Sequence, residues 1–194
     1  LQVGDDLITL SDNFGRFNFA AVPSGERVVL NASRYGFLDN TEIVAVLPET
    51  NVTQDIVLSK PRLTETFETS GDGIIVTTDG MTLELPAGQY LDSLGEPFNG
   101  TATLEASYFP ITTERGEAEF PGDNRAITTE NEVGELVSFG FAKIQLTDSD
   151  GRELELPKDQ QIDVTLPADD TLEKPATIPM WYYDDEAGIW VEGG

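Results

Sequence analysis

The sequence predicts an all-β protein built as two tandem β-sandwiches. Apolar and polar residues alternate in short segments, which is the period of a strand. Turn-forming pairs of glycine with aspartate or proline separate these segments. Residues 1–58 contain no ten-residue stretch with the period of a helix. The hydrophobic content of 39% favours thin sandwiches over a thick α/β body.

The first predicted unit, residues 1–60, is dense in short alternating segments separated by turns at 12–15 and 22–25. We predict strands or strand-like alternation at 7–10, 16–19, 27–33, 43–47 and 52–58. Residues 61–72 are polar and show little periodicity, which predicts a linker between the two units.

The second predicted unit, residues 73–194, contains an internal echo. Residues 79–86 read DGMTLELP and residues 150–157 read DGRELELP, each an Asp-Gly turn that leads into a short strand. This echo predicts a related pair of strands in one sandwich. Further strands are expected at 101–109, 136–147 (broken near Gly140) and 162–166, and a terminal hairpin is expected over 177–192. Residues 112–131 are expected to form a long acidic loop.

The last predicted strands form a hairpin that holds both tryptophans of the chain. Alternation places Trp181 and Tyr183 on one face, with Trp190 on the return strand, and turns Tyr182 to the other face. Trp181, Tyr183 and Trp190 are therefore either core residues or a platform on which a sugar could stack.

The formal charge of −25 is unevenly spread: residues 1–70 carry 10 acidic and 5 basic residues, and residues 71–194 carry 26 and 6. Such a surface repels nucleic acid and anionic membranes, so neither is an expected partner. The absence of His and Cys excludes a histidine-based triad and thiolate metal sites. No apolar run is long enough for a membrane span, so no membrane insertion is expected.

Clustered carboxylates suit hard cations such as Ca²⁺, which prefer oxygen ligands. Two alternatives stay open for the acidic turns: they are calcium sites, or they are hairpin turns whose charges are solvated. Ca²⁺ is accordingly a possible cofactor. The candidate ligands are Asp148, Asp150, Asp123, Glu130, Asp184 and Asp185.

The first unit resembles the carboxypeptidase regulatory-like family in its turns and in the strand between them. The resemblance implies a small transthyretin-like sandwich of the kind repeated in bacterial surface and secreted proteins, without catalytic residues. The family's opening strand has no counterpart here, so the first sandwich is expected to be incomplete at its N-terminus. The matching positions are Asp12, Gly15, Phe17, Val22, Pro23, Gly25, Gly36 and Phe37.

The second unit resembles the region that follows such a sandwich in cartilage intermediate layer proteins and related bacterial extracellular proteins. The resemblance rests on 121–123, on 138–141, and on Trp181 with Gly188, Trp190 and Glu192. Residues 73–88 are also similar to the opening of ZU5-type domains.

These observations lead to one expected function and one alternative. We expect a non-catalytic structural or adhesion module, extracellular or at the cell surface, in a larger bacterial protein whose other domains are its partners. The alternative is a module that binds a carbohydrate or a matrix protein through the aromatic hairpin or the acidic loop.

Overall fold

The computed structural model describes residues 1–4, 7–167 and 175–193. This part of the chain forms multiple antiparallel β-sheets, and its single helix amounts to only 3% of the chain. The prediction of an all-β protein is therefore confirmed. The described residues contain no helix of the length and apolarity needed to cross a membrane.

The N-terminal part of the chain forms a four-stranded antiparallel sheet in the order β2-β1-β3-β4. Its strands are β1 (Gln2–Val3), β2 (Leu7–Ile8), β3 (Gly25–Ala32) and β4 (Asn40–Val46). Because β1 and β2 are only two residues long each, most of the strand pairing in this sheet is between β3 and β4.

The rest of the chain forms four further sheets, ordered β13-β10-β5, β14-β8-β9, β15-β7-β6 and β12-β11-β17-β16. The elements are β5 (Leu63–Glu68), β6 (Ile74–Thr78), β7 (Met81–Leu85), β8 (Tyr90–Asp92), β9 (Pro97–Phe98), β10 (Thr101–Phe109), α1 (Glu114–Glu119), β11 (Arg125–Ile127), β12 (Val133–Glu135), β13 (Phe141–Asp148), β14 (Leu154–Glu155), β15 (Asp163–Thr165), β16 (Trp181–Asp184) and β17 (Ile189–Glu192).

Two clusters of buried apolar side chains hold these sheets together. The larger cluster packs the middle sheets around Leu83, Tyr90 and Leu104, which are fully buried. The smaller cluster consists of Leu38, Phe109, Ala126, Phe141 and Trp190. Leu38 comes from the N-terminal part of the chain, so the second cluster joins the two parts.

The stretch 61–72, expected to be a linker, contains strand β5. This strand pairs with β10 from Thr101↔Glu68 to Ala106↔Leu63. Leu63 and Phe67 pack against the larger cluster, while the Thr and Glu residues between them are mostly exposed. An edge strand with one solvent-exposed face carries few apolar residues. The sequence of β5 is therefore as polar as that of a linker, and its strand period is not evident.

Two other predictions about local structure are wrong. Residues 52–58 and 16–19 form no strand, and an isolated bridge between Leu38 and Ser59 is the nearest pairing to the first of these stretches. The expected loop 112–131 contains α1 and β11. The DG echo stays a prediction: its copies lead into β7, which pairs with β6 and β15, and into β14, which pairs with β8, and two sheets can belong to one sandwich.

Candidate functional site

Hydrogen bonds within its acidic turn close the terminal hairpin of β16 and β17. The Asp184 carboxylate accepts hydrogen bonds from the N–H groups of Glu186 (3.1 Å) and Ala187 (2.9 Å). The N–H of Gly188 donates to the Asp184 carbonyl at 2.8 Å, and Gly188 has a φ of +64°. Glycine reaches this left-handed conformation without steric cost, so the turn closes as the sequence predicts.

The inner face of the hairpin is part of the smaller core cluster. Trp190 is only 6% exposed, and its ring lies 5.2 Å from that of Phe120 and 5.3 Å from that of Tyr183. Trp181 and Tyr183 are half-buried and pack against the same cluster. The three rings suggested as a sugar-stacking platform are therefore occupied by packing against the protein itself.

The outer face of the same sheet carries a row of apolar side chains. Strand register places Tyr182 opposite Val191, Val191 opposite Ile127, and Ile127 opposite Val133. Directly paired residues share a face of a sheet, so these four residues, called the outer row here, cross all four strands. Tyr182 is 56% exposed and Val133 is 57% exposed, so both ends of the row lie in solvent.

Among the described strands, β12 and β16 lie at the two edges of this sheet. The order β12-β11-β17-β16 leaves β12 and β16 each with one strand neighbour. Met180, which precedes β16, is 48% exposed. Exposed apolar side chains beside unpaired strand edges are typical of surfaces that bind another protein chain.

The N-terminal sheet anchors the hairpin turn. Arg27 on β3 forms a two-pronged ion pair with Asp123 and donates to the Gly188 carbonyl at 2.7 Å. Asn31 on β3 donates through Nδ2 to the Asp185 carbonyl at 3.2 Å. These contacts hold β3 against the turn and so fix the orientation of the outer row relative to the N-terminal sheet.

Arg27 also influences the pKa values of the ionisable side chains at this contact. Desolvation of the Asp123 carboxyl opposes ionisation, but hydrogen bonds from Arg27 and from the Arg125 N–H outweigh it and lower the pKa of Asp123. Burial raises the pKa of Tyr183, and the nearby negative charge of Asp123 adds to the effect. Tyr183 therefore stays a neutral phenol at physiological pH.

A second polar contact between the two parts is centred on Lys143. Its ammonium donates to Glu119 Oε2 (3.1 Å), to the Asp39 carbonyl (2.9 Å) and to Asn40 Oδ1 (2.8 Å). Burial lowers the pKa of Lys143, although the Glu119 charge opposes the shift. Partial burial of its carboxyl raises the pKa of Asp39 to about 6, with Glu153 adding to the effect and Gln145 and Lys143 opposing it.

Asp148 and Asp150, two of the suggested calcium ligands, lie in one turn together with Arg152. The Asp148 carboxylate accepts from the N–H groups of Asp150 and Arg152, and Arg152 forms ion pairs with both aspartates. The backbone hydrogen bond from Arg152 is the main reason that the pKa of Asp148 is lowered. The two aspartates thus form an Asp-Gly turn, and calcium binding at this turn stays an untested prediction.

The remaining suggested ligands are engaged elsewhere or lie alone. Asp123 is paired with Arg27, Asp184 caps the hairpin turn, and Glu130 and Asp185 are exposed on turns. Within the described residues, no three acidic, His or Cys side chains are grouped closely enough to hold a metal ion.

Sequence reasoning missed the residues that form the most exposed apolar surface of the hairpin sheet. The sequence does contain a signal for Tyr182, because alternation places its side chain on the opposite face of the strand from Trp181 and Tyr183. Val133 lies between the expected loop at 112–131 and the strand expected from 136, where no element was predicted. It joins the same row as Tyr182 only through the parallel pairing of β11 with β17.

Comparison with known proteins identifies a family whose model matches the chain. The family described as FAM171A1/A2/B, N-terminal, matches residues 94–194, which is just over half of the chain. No curated protein and no solved structure shows significant similarity to the chain.

This match overturns the resemblances drawn from the sequence. The family is eukaryotic, and it is neither carboxypeptidase regulatory-like nor ZU5-like, nor a bacterial relative of cartilage intermediate layer proteins. Those resemblances rested on short turn signatures such as Val-Pro-x-Gly and Asp-Gly. Any protein with many short strands needs turns of this chemistry, so these signatures do not separate families.

Proposed function

The chain belongs to the FAM171A1/A2/B family, whose N-terminal model covers residues 94–194. We propose, from its own surface, that it is a non-catalytic extracellular adhesion module. In this proposal the outer row contacts a basic protein surface, as a matrix protein could offer. The rest of the fold holds that face in a fixed orientation within a longer polypeptide.

The observation that carries the proposal is the outer row. Tyr182 and Val133 are each more than half exposed at opposite ends of the row, and both lie on edge strands. An exposed tyrosine supplies a large contact area with a polar tip and loses little side-chain entropy on binding. Unpaired strand edges on either side can add main-chain hydrogen bonds to a partner.

The charge of the chain indicates the chemistry of the partner. The formal charge is −25. On the outer face of the same sheet, register places Asp184 and Glu135 beside the row, with Arg125 opposite Glu135. An acidic surface attracts a basic partner, speeds its association and disfavours acidic competitors. A basic protein surface is thus the occupant that fits best.

A non-catalytic role is supported by how the ionisable side chains are used. The chain has no His and no Cys. The most strongly buried ionic group, Lys143 with Glu119, bonds to backbone and side chains of the N-terminal part. This ion pair therefore serves to hold elements of the fold together.

We further propose that the fold works as two sandwich-like units in series, with the boundary before β5. Pairing of β5 with β10 supports placing residues 63–68 in the second unit. Limited proteolysis of the whole chain would test this: cleavage confined to residues 47–62 would support the boundary, and cleavage first between β5 and β10 would refute it.

Binding to immobilised matrix proteins tests the adhesion proposal. Wild-type chain is passed over matrix proteins of basic and of acidic isoelectric point at two salt concentrations. Tyr182→Glu and Val133→Glu probe the row. Tyr35→Glu is the matched control, because Tyr35 is 88% exposed and lies outside this sheet.

The proposal expects saturable binding to the basic proteins that weakens with salt, is lost in both row variants and is kept in Tyr35→Glu. Equal binding by Tyr182→Glu and wild type would overturn it. Sedimentation is run in parallel, and a dimer abolished by the row variants would make a second copy of the chain the occupant instead.

A further inference from the structure

We propose that Asn51 and Asn99 are sites of asparagine-linked glycosylation, and that Asn31 is not modified in the folded protein. The chain contains three Asn-x-Ser/Thr triplets: Asn31-Ala32-Ser33, Asn51-Val52-Thr53 and Asn99-Gly100-Thr101. None has proline at the middle position, which would block the acceptor. The inference rests on the extracellular location in the proposed function, because this modification occurs on the secretory side of a membrane.

The reaction transfers a sugar chain to the side-chain amide. Nδ2 of the asparagine attacks C1 of an oligosaccharide held on a lipid pyrophosphate, supplied with its transferase by the secretory pathway. A C1–N bond forms, the C1–O bond to the pyrophosphate breaks, the lipid pyrophosphate leaves, and the amide loses one proton. The structure decides which of the three asparagines can carry the product.

Asn51 has the geometry of an acceptor. It is exposed and lies in an irregular stretch directly after the turn at 47–50, which is closed by the Thr50 hydroxyl on the Leu47 carbonyl at 2.8 Å. Its amide has no hydrogen bond to any of the described residues. A sugar chain on Nδ2 would extend into solvent without displacing a protein contact.

Asn99 lies in the turn between β9 and β10 and is also exposed. The backbone beside it is fixed, since the Thr69 N–H donates to the Gly100 carbonyl at 3.0 Å and Gly100 N–H donates to the Thr69 hydroxyl at 3.2 Å. As with Asn51, the Asn99 amide bonds to none of the described residues. A glycan here would project from an ordered turn.

Asn31 has the opposite environment. It is half-buried within β3, its Nδ2 donates to the Asp185 carbonyl (3.2 Å), and its Oδ1 accepts from the Thr41 hydroxyl (2.7 Å). A sugar on Nδ2 would stand between β3 and the turn of the terminal hairpin. A molecule modified at Asn31 could not keep this contact.

Neither proposed acceptor lies on a strand that carries the outer row. Asn51 follows the N-terminal sheet and Asn99 precedes β10. Modification at these positions therefore changes none of the residues of the proposed binding face.

The test is secretion of the whole chain from eukaryotic cells behind a cleavable signal. Peptide:N-glycosidase treatment in ¹⁸O water, which converts each glycosylated asparagine to labelled aspartate, is followed by peptide mass spectrometry. We expect label at Asn51 and Asn99 and none at Asn31, and two steps of gel mobility that the glycosidase removes. Asn51→Gln and Asn99→Gln should each remove one step, and the double variant should remove both.

Thr53→Ala and Thr101→Ala are the matched variants, since they keep the asparagine and destroy only the triplet. Each should remove the same step as the corresponding glutamine variant. Secreted chain without label at Asn51 and Asn99, or folded chain labelled at Asn31, overturns the inference.

Failure of this inference is distinguishable from failure of the proposed location. The appended signal brings the chain into the secretory pathway whatever its natural location. Location is measured separately, as sensitivity of the natural full-length protein to protease added outside intact cells. Protection there would refute the extracellular location even if both asparagines are modified in the secreted chain.

Discussion

Lys143 and Glu119 form a buried ion pair with Nζ and Oε2 3.1 Å apart, the two side chains being 9% and 0% exposed. Lys143 lies on β13 and Glu119 ends α1, and the same ammonium reaches the Asp39 carbonyl and the Asn40 side chain at the start of β4. One cation thus joins three separate parts of the chain. Its removal would leave a fully buried carboxylate without a counter-charge.

Lys143→Met is expected to lower the free energy of unfolding by about 3–5 kcal/mol, the usual cost of breaking a buried pair by removing one partner. In a chain of this size that corresponds to roughly 6–20 °C in Tm. Thermal denaturation followed by circular dichroism measures it. Arg16→Met is the control, because the Arg16–Asp12 pair is exposed and should leave Tm almost unchanged.

The double variant Lys143→Met/Glu119→Leu separates the charge from the packing. Replacing both partners removes the orphaned charge, so it should recover most of the stability lost in Lys143→Met. A double variant as unstable as the single variant would show that the lysine acts through its hydrogen bonds to Asp39 and Asn40 instead.

The raised pKa of Asp39, about 6 against an ordinary 3.8, gives a pH dependence of known sign. The folded state binds the proton more tightly than the unfolded state, so this group's stabilising contribution is full below pH 3.8. It is lost as the pH rises through about 6. Asp39→Asn keeps a neutral side chain, so the Tm of Asp39→Asn minus that of wild type should grow from pH 4 to pH 7.

Asp148→Asn is the control of opposite sign. The backbone hydrogen bond from Arg152 and its charge lower the pKa of Asp148, so its contribution is present above the ordinary pKa and is lost as the pH falls. The deficit of Asp148→Asn should therefore be greatest near neutral pH and shrink in acid. Parallel pH profiles for the two variants would contradict both assignments.

The two faces of the terminal hairpin should respond differently to truncation. Trp190→Ala removes a buried ring from the core cluster and should cost about 3–5 kcal/mol. Tyr182→Ala removes a ring that is 56% exposed and should change Tm by only a degree or two. Urea denaturation of the two variants checks this, and equal losses would place Tyr182 in the core.

Gly188 is expected to tolerate a methyl group much less well than Gly15. Both have a left-handed φ, +64° and +78°, so alanine at either should cost about 1–2 kcal/mol from the backbone alone. At Gly188 a Cβ would also lie 2.5 Å from Ile43 Cδ1 and 2.8 Å from Val29 Cγ2, whereas nothing lies within 4 Å of one at Gly15. Overpacking should add about 1–3 kcal/mol in Gly188→Ala, measurable by chemical denaturation. Equal costs would mean that β3 and β4 do not pack on the hairpin turn.

Calcium should act on the chain as a general salt. Asp148 and Asp150 already share Arg152, and Asp123 is paired with Arg27. A bound cation would have to displace these guanidinium groups. We expect melts in millimolar CaCl₂ and in MgCl₂ at equal ionic strength to agree within a degree. A rise with CaCl₂ alone, reversed by EDTA, would support the calcium hypothesis instead.

Several strands were predictable because their signals are local. Alternation and bounding turns placed β10 at Thr101–Phe109, and the Asp79-Gly80 pair connects β6 to β7 through a two-residue turn. The aspartate and glycine of that turn both have positive φ, which is the reason for this residue pair. β5 was missed because its exposed face is polar, and α1 because six residues give too few turns for a helical period.

The candidate surface likewise has one part that the local sequence predicts and one part that it does not. Alternation alone turned Tyr182 away from Trp181 and Tyr183. The outer row needed the partners of that strand, and Val133 reaches it only through β11, across a parallel pairing between residues more than 60 positions apart. No local rule specifies which distant strand will lie alongside.

By itself, therefore, the sequence determined the strand periodicity, the turns, the acidic surface and the three Asn-x-Ser/Thr triplets, because each depends on residues close together in the chain. The tertiary structure alone decided that Arg27 meets Asp123 and that Lys143 is buried against Glu119. It also decided that the Asn31 amide is hydrogen-bonded, whereas the Asn51 amide bonds to none of the described residues. These outcomes depend on which surfaces lose water when distant segments pack, and burial of that kind is a property of the whole fold.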